Sequence, residues 1–207
     1  MIHIENDNTI YFNVNDLTLK IADARQEATC SVHLAYPVVD YGRVAVSIMY
    51  IYQAQDLEKL LQFNIACFKM GREAVQNYLR TNYVNDMSIS FRYLLDKRLS
   101  DDHEGVAALP AHFLRPWENN CLLKATGYLF DGATLGQYFG GVHSDPNRRE
   151  HWDNDRIMDP RGKTLVWKDG LNGYKIPHID SYPVANLHIH SKQLQRFFSS
   201  ENWTKDV

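Results

Sequence analysis

The chain has 207 residues, of which 44% are hydrophobic and 23% charged, with a formal net charge of −3. That length suits one substantial domain or two small ones. The balance argues against a nucleic-acid binder working by bulk electrostatics, which needs a basic surplus. No apolar run approaches the roughly 20 residues of a membrane helix, and the N-terminus lacks a secretory signal pattern. A cytoplasmic protein without a membrane span is therefore expected.

In chain order, residues 1–4 and 9–14 read as short strands, with the acidic loop Glu5-Asn6-Asp7-Asn8 between them. Residues 31–35 and 43–52 read as further strands, the second rich in Val, Ile and Tyr. The period then changes. Leu57, Leu60, Leu61, Ile65 and Phe68 follow helical spacing, and Gly71 is expected to end that helix. A second helix is predicted over about 72–83. A third starts near Asn85-Asp86, with Met87, Phe91, Leu94 and Leu95 on one face.

Val106 to Leu109 is a predicted strand closed by Pro110. Residues 128–141 read as a strand or turn entering a short helix that two glycines stop. Residues 143–162, dense in Asp, Asn, Arg and Pro, read as a long mobile loop. Strands follow at about 164–168, 174–179 and 184–190. A final helix has Ser191 as N-cap and Leu194, Phe197 and Phe198 facing inward. The fold class is mixed α/β. Cys30, Cys67 and Cys121 are scattered without regular spacing and are expected to be reduced thiols. Cys67 falls inside a helical apolar pattern, as a small core residue does.

Four segments carry candidate chemistry. In an extended chain His3, Glu5 and Asp7 point to one side. Glu5 and Asp7 can then approach one hard cation, Mg²⁺ or Mn²⁺; the alternative is a polar turn. Near the C-terminus, alternation puts Asn186, His188 and His190 on one strand face, with Leu187 and Ile189 on the other. Two histidines at i, i+2 suit a metal. Ser191 and Lys192 follow at a strand-to-helix junction, which suits a phosphate; the alternative is a capped polar strand face.

The third segment surrounds Asp131. A helix there would align Asp131, Thr134, Gln137 and Tyr138, a carboxylate, hydroxyl and amide set suited to sugar hydroxyls. Alternatively Asp131 caps that helix. The fourth is Asp86, read as an N-cap.

Taken together, these segments resemble a bacterial family of sugar-nucleotide glycosyltransferases with the GT-A fold. "HIENDNTIYF" (3–12) resembles that family's variant of the acidic D-x-D metal motif. "VNDMSISFRYL" (84–94) resembles its N/S-D-M helix start. "GYLFDGATLGQYFGG" (127–141) and "PVANLHIHSKQLQRFF" (183–198) resemble its FD-(A/G)-A-x-(L/I)-GQY-x-GG and closing NLHIHSK segments, and are the most specific of the four. The resemblance spans nearly the whole chain and is weakest over 15–80 and 143–182.

The resemblance implies transfer of a sugar from a nucleoside-diphosphate sugar to a glycan acceptor, in surface-polysaccharide assembly. It implies Mn²⁺ or Mg²⁺ held by Asp7 and Glu5 with His190 or His188. Lys192, with Ser191, Asn186 and Gln137, would bind the donor. Asp131, with Asp86 second, would serve the acceptor hydroxyl as binder or general base.

Only four residues precede Glu5. The chain is therefore expected to be a single domain matching the C-terminal two-thirds of such an enzyme, truncated of its nucleotide-binding half. That half could come from a separate partner chain. The strand over 1–4 would then be an exposed edge open to self-association. Two other readings stay open: a non-catalytic remnant or half of a split enzyme, and a metal-dependent hydrolase using the H-x-H pair.

Overall fold

In a computed structural model of the chain, the described residues are 1–5, 8–26, 32–40, 43–45, 48–82, 84–99, 106–109, 120–132, 135–140, 163–170 and 174–189. They form a mixed α/β structure. The expected loop over 143–162 and the expected final helix lie outside them.

A five-stranded sheet is built from β1 (Ile2–Ile4), β3 (Leu34–Asp40), β4 (Arg43–Val44), β5 (Ile48–Ile51) and β6 (Val106–Leu109). The order is β1-β5-β3-β4, and β6 pairs β3 in parallel while the other pairings are antiparallel. β1 ends the strand order, as expected of 1–4. The expected strand over 43–52 is two strands, β4 and β5.

Both faces of this sheet are covered, which explains the unbroken apolar run Ile48-Met49-Tyr50-Ile51, all buried. Met49 and Ile51, with Leu34 and Tyr36, pack toward α2 (Ala54–Lys69) and α4 (Asp86–Leu99) through Leu60, Phe91 and Leu94. Ile48, Tyr50 and Ala35 pack the other way, toward α1 (Val14–Gln26) and α5 (Asn120–Thr126) through Leu17, Ile21 and Leu122. α3 (Arg72–Leu79) completes the first helical layer, its Val75 packed with Cys67 and Ile89.

The helix boundaries have local causes. Asn13 Oδ1 accepts from the amide N–H groups of Asn15 and Asp16 and so caps α1. Residues 9–14 are therefore not one strand: β2 (Asn8–Ile10) stops short and the chain turns into α1. Gly71, at φ 85°, directly follows the α2 C-cap Met70, so α2 ends there as expected, and the same glycine heads α3. Asn85, not Asp86, caps α4. Its Oδ1 accepts from Ser88 N at 2.9 Å, and its own N–H donates to Ser88 Oγ at 3.1 Å.

The remaining strands gather around a separate core. β7 (Val166–Asp169), β8 (Lys175–Ile179) and β9 (Tyr182–Pro183) form one antiparallel sheet. β10 (Asn186–His188) pairs antiparallel with β2. With α6 (Leu135–Gly140) these strands enclose Leu129, Leu135, Phe139, Leu165, Val184, Leu187 and Ile189.

Cys67 is a free, buried thiol, as the helical pattern implied. Cys121, at the start of α5, is disulfide-bonded, which overturns the expectation of three reduced thiols. Cys30 lies outside the described residues. No helix among the described residues is long and apolar enough to cross a membrane.

Candidate functional site

Three segments singled out in the sequence meet where β2, β10 and α6 converge. Antiparallel pairing sets His188 opposite Asn8 and Asn186 opposite Ile10. Asn186 is fully buried and bridges the two other segments. Its Nδ2 donates to Asn8 Oδ1 at 2.8 Å and to Asp131 O at 3.2 Å, while its Oδ1 accepts from Asp131 N at 3.0 Å.

Asp131 is equally enclosed, at 1% exposure. Its Oδ1 accepts from Leu135 N at 2.8 Å. Its Oδ2 accepts from Gly136 N at 2.7 Å and from His188 N at 2.9 Å. The carboxylate thus caps α6 and ties that helix to β10. This geometry makes Asp131 a positioning residue. These three backbone hydrogen bonds fit the capping alternative for Asp131.

Gly136 lets the helix come this close. A Cβ on Gly136 would stand 2.2 Å from His188 O and 2.5 Å from His188 C, inside any permissible contact. The glycine of the GQY motif is therefore a packing requirement of the β10–α6 junction.

The expected alternation along β10 takes a different form. Asn186, Leu187, His188 and Ile189 are all buried, so the Asn/His face is covered as well as the apolar one. β2 and the segment around Asp131 supply that cover. Tyr11, just past β2, joins this layer. Its N–H donates to Ala185 O at 2.9 Å and its ring meets Trp167 edge-on at 5.4 Å. Burial raises the Tyr11 hydroxyl far above its ordinary pKa, so it stays protonated.

A cleft of about 780 Å³ opens beside the cluster, with Asn8 in its wall. Tyr11, Phe12, Tyr128 and Tyr174 give it an aromatic lining, and Asp16, Lys20 and Lys175 give it charge. Lys20 is held over the Tyr128 ring at 5.6 Å, and its Nζ donates to Thr126 O at 3.3 Å. Phe12 links the cleft back to the cluster, with ring centroids 6.3 Å from Tyr128 and 6.4 Å from Phe130. Apolar walls with a few polar groups are the usual make-up of a small-molecule site.

No protein-family model, no curated protein and no solved structure matches the chain.

The other candidate residues fall as follows. Glu5 lies beside β1, its carbonyl accepting from Asn8 N at 3.3 Å. Gln137 lies in α6. Asp86 opens α4 in the helical layer around Phe91 and Leu94, a layer separate from the core of β10 and α6. Asp7, His190, Ser191 and Lys192 lie outside the described residues. Among the described residues, no group of three or more His, Cys, Asp or Glu side chains is placed to hold a metal ion.

Asp16, Lys20, Tyr128, Tyr174 and Lys175 were not singled out from the sequence. They come from a helix start, a post-helix turn and a strand start, and no local motif joins them. The only sequence signal was the aromatic content of 12%.

Proposed function

We propose that the chain is a glycosyltransferase-like protein of GT-A type, transferring a sugar from a nucleoside-diphosphate sugar to a glycan acceptor. One observation carries this reading: buried Asp131, Asn186 and His188 and half-buried Asn8, from three separate motif segments, form one hydrogen-bonded cluster, and Asn8 lies in the wall of the adjoining aromatic cleft.

Under this reading a divalent ion, Mn²⁺ or Mg²⁺, supplies neutralising charge to the donor diphosphate. Asp7 and His190, with Glu5 and His188, are the residues proposed to hold the ion, and Lys192 is proposed to neutralise the departing diphosphate. Asp131 and Asn186 tie together Asn8, the backbone at His188 and the start of α6. Asp131 holds His188 N and the start of α6, and Asn186 holds Asn8. Sites that develop charge need such rigid support. The aromatic walls of the cleft offer flat apolar faces to a sugar ring or base, and Asp16 offers a carboxylate to a hydroxyl.

A second reading is a saccharide-binding module without turnover. The engagement of the Asp131 carboxylate by three backbone N–H groups favours it, since those bonds give the residue a structural task. Isothermal titration with Mn²⁺ and nucleoside diphosphates, followed by a nucleotide-sugar hydrolysis assay, separates the two. The transferase reading expects metal-dependent nucleotide binding and slow release of free sugar. Saccharide binding without nucleotide binding supports the module.

A further inference from the structure

α2 is apolar on two faces. Its inner face is accounted for: Leu60 and Cys67 are buried, and Leu57 and Phe63 pack on the sheet and helical layer. Its outer face carries Leu61 at 52%, Ile65 at 52% and Phe68 at 55% exposure, followed by Met70 at 48%. Leu61, Ile65 and Phe68 follow i, i+4, i+7, so these three form one stripe along the helix. Single exposed apolar residues are ordinary, but a continuous stripe of large ones marks a contact surface.

We propose that this stripe is the contact face of a homodimer in which α2 of one copy packs antiparallel on α2 of another. The charges beside the stripe select this occupant. At 100° per residue, Glu58 and Lys69 fall on the same flank of the stripe, near its two ends. A twofold axis lying between the helices, near residues 63 and 64, preserves the flank and reverses the direction. It therefore brings Glu58 of each copy to Lys69 of the other, twice, while Leu61 meets Ile65. The pattern is self-complementary, as an isologous contact requires.

A lipid surface fits less well. Within α2 the acids Asp56 and Glu58 balance the bases Lys59 and Lys69, whereas helices that lie on membranes carry a basic polar face. A single helix pair is at the small end of specific interfaces, so the dimer forms in proportion to concentration.

Sedimentation velocity across a concentration series tests this, with circular dichroism and melting as controls on folding. The wild-type mass should rise with concentration from 24.0 kDa toward twice that value. Phe68→Glu should hold the chain monomeric with an unchanged melting profile. Glu58→Lys should weaken the dimer, and the double variant Glu58→Lys, Lys69→Glu should restore it, even where Phe68→Glu fails to fold. A wild-type chain that stays monomeric throughout overturns the proposal. So does a dimer indifferent to Glu58→Lys or unrestored by the double variant, or an α2 face that binds anionic vesicles without self-association.

Discussion

Asn186 reaches across 178 residues of sequence to Asn8, its Nδ2 donating to the Asn8 Oδ1 at 2.8 Å. The same amide pairs with the backbone of Asp131 in both directions. One buried side chain therefore joins all three segments of the cluster. Asn186→Ala leaves Asp131 N, Asp131 O and Asn8 Oδ1 without this partner. Unmet buried hydrogen-bonding groups cost about 1–3 kcal/mol each, and the expected loss is about 3 kcal/mol after local relaxation. At about 2–4 °C per kcal/mol for a chain of this size, Tm falls by about 6–12 °C. Asn186→Asp should fall at least as far, because it turns an acceptor toward two acceptors. A variant within about 1 °C of wild type would contradict the bridging role.

Gly136→Ala tests the close approach of α6 to β10. The added carbon would meet His188 O at 2.2 Å, and that oxygen belongs to the backbone of a buried strand. Neither partner is the free end of a flexible side chain, so the helix or the strand must move. Overpacking of this kind costs about 1–3 kcal/mol or more. Tm should drop, and amide exchange at 135–140 and 186–188 should rise relative to the sheet. Unchanged exchange at both segments would contradict the contact.

Much of this was legible in the sequence for reasons that the structure explains. β5 reads clearly because four consecutive buried residues leave no polar break. α2 reads clearly because its inner and outer faces both carry apolar residues at helical spacing, Leu60 and Cys67 inside and Leu61, Ile65 and Phe68 outside. α1 does not, although Leu17, Ile21 and Ala24 are spaced i, i+4, i+7. Its exposed Leu19 and Val14 blur the apolar face, and Val14 continues the strand-like run 9–14. The alternation of Asn186, Leu187 and His188 was legible as a strand. Its burial on both faces was not, because the cover comes from β2 and from residue 131.

His178 contributes a pH dependence to stability. Burial lowers its pKa below the ordinary 6.5, with Lys168 adding to the shift and a hydrogen bond to Ile176 O opposing it. A folded-state pKa below the unfolded one means that the unfolded chain takes up the proton first as pH falls. His178 thus contributes its full stability above about 6.5 and loses it between 6.5 and the lower folded value. Tm should decline as pH drops through that window, and His178→Gln should flatten this part of the profile. An unchanged slope in the variant would show that another group is responsible.

Cys121 is disulfide-bonded and Cys67 is free. Thiol titration of the denatured, unreduced protein should give fewer than three thiols. Reduction should lower Tm, since closing a loop in a chain typically stabilises by about 2–4 kcal/mol. Three titratable thiols without reductant would contradict the bond.

Isothermal titration of the full chain with nucleoside diphosphates, with and without Mn²⁺, tests the proposed function most directly. Binding is expected only with the metal, and it should be lost in Asp7→Ala and His190→Ala with the fold intact by circular dichroism. Absence of binding to uridine, guanosine, cytidine and thymidine diphosphates, all with Mn²⁺ present, would contradict a nucleotide-sugar site in this chain.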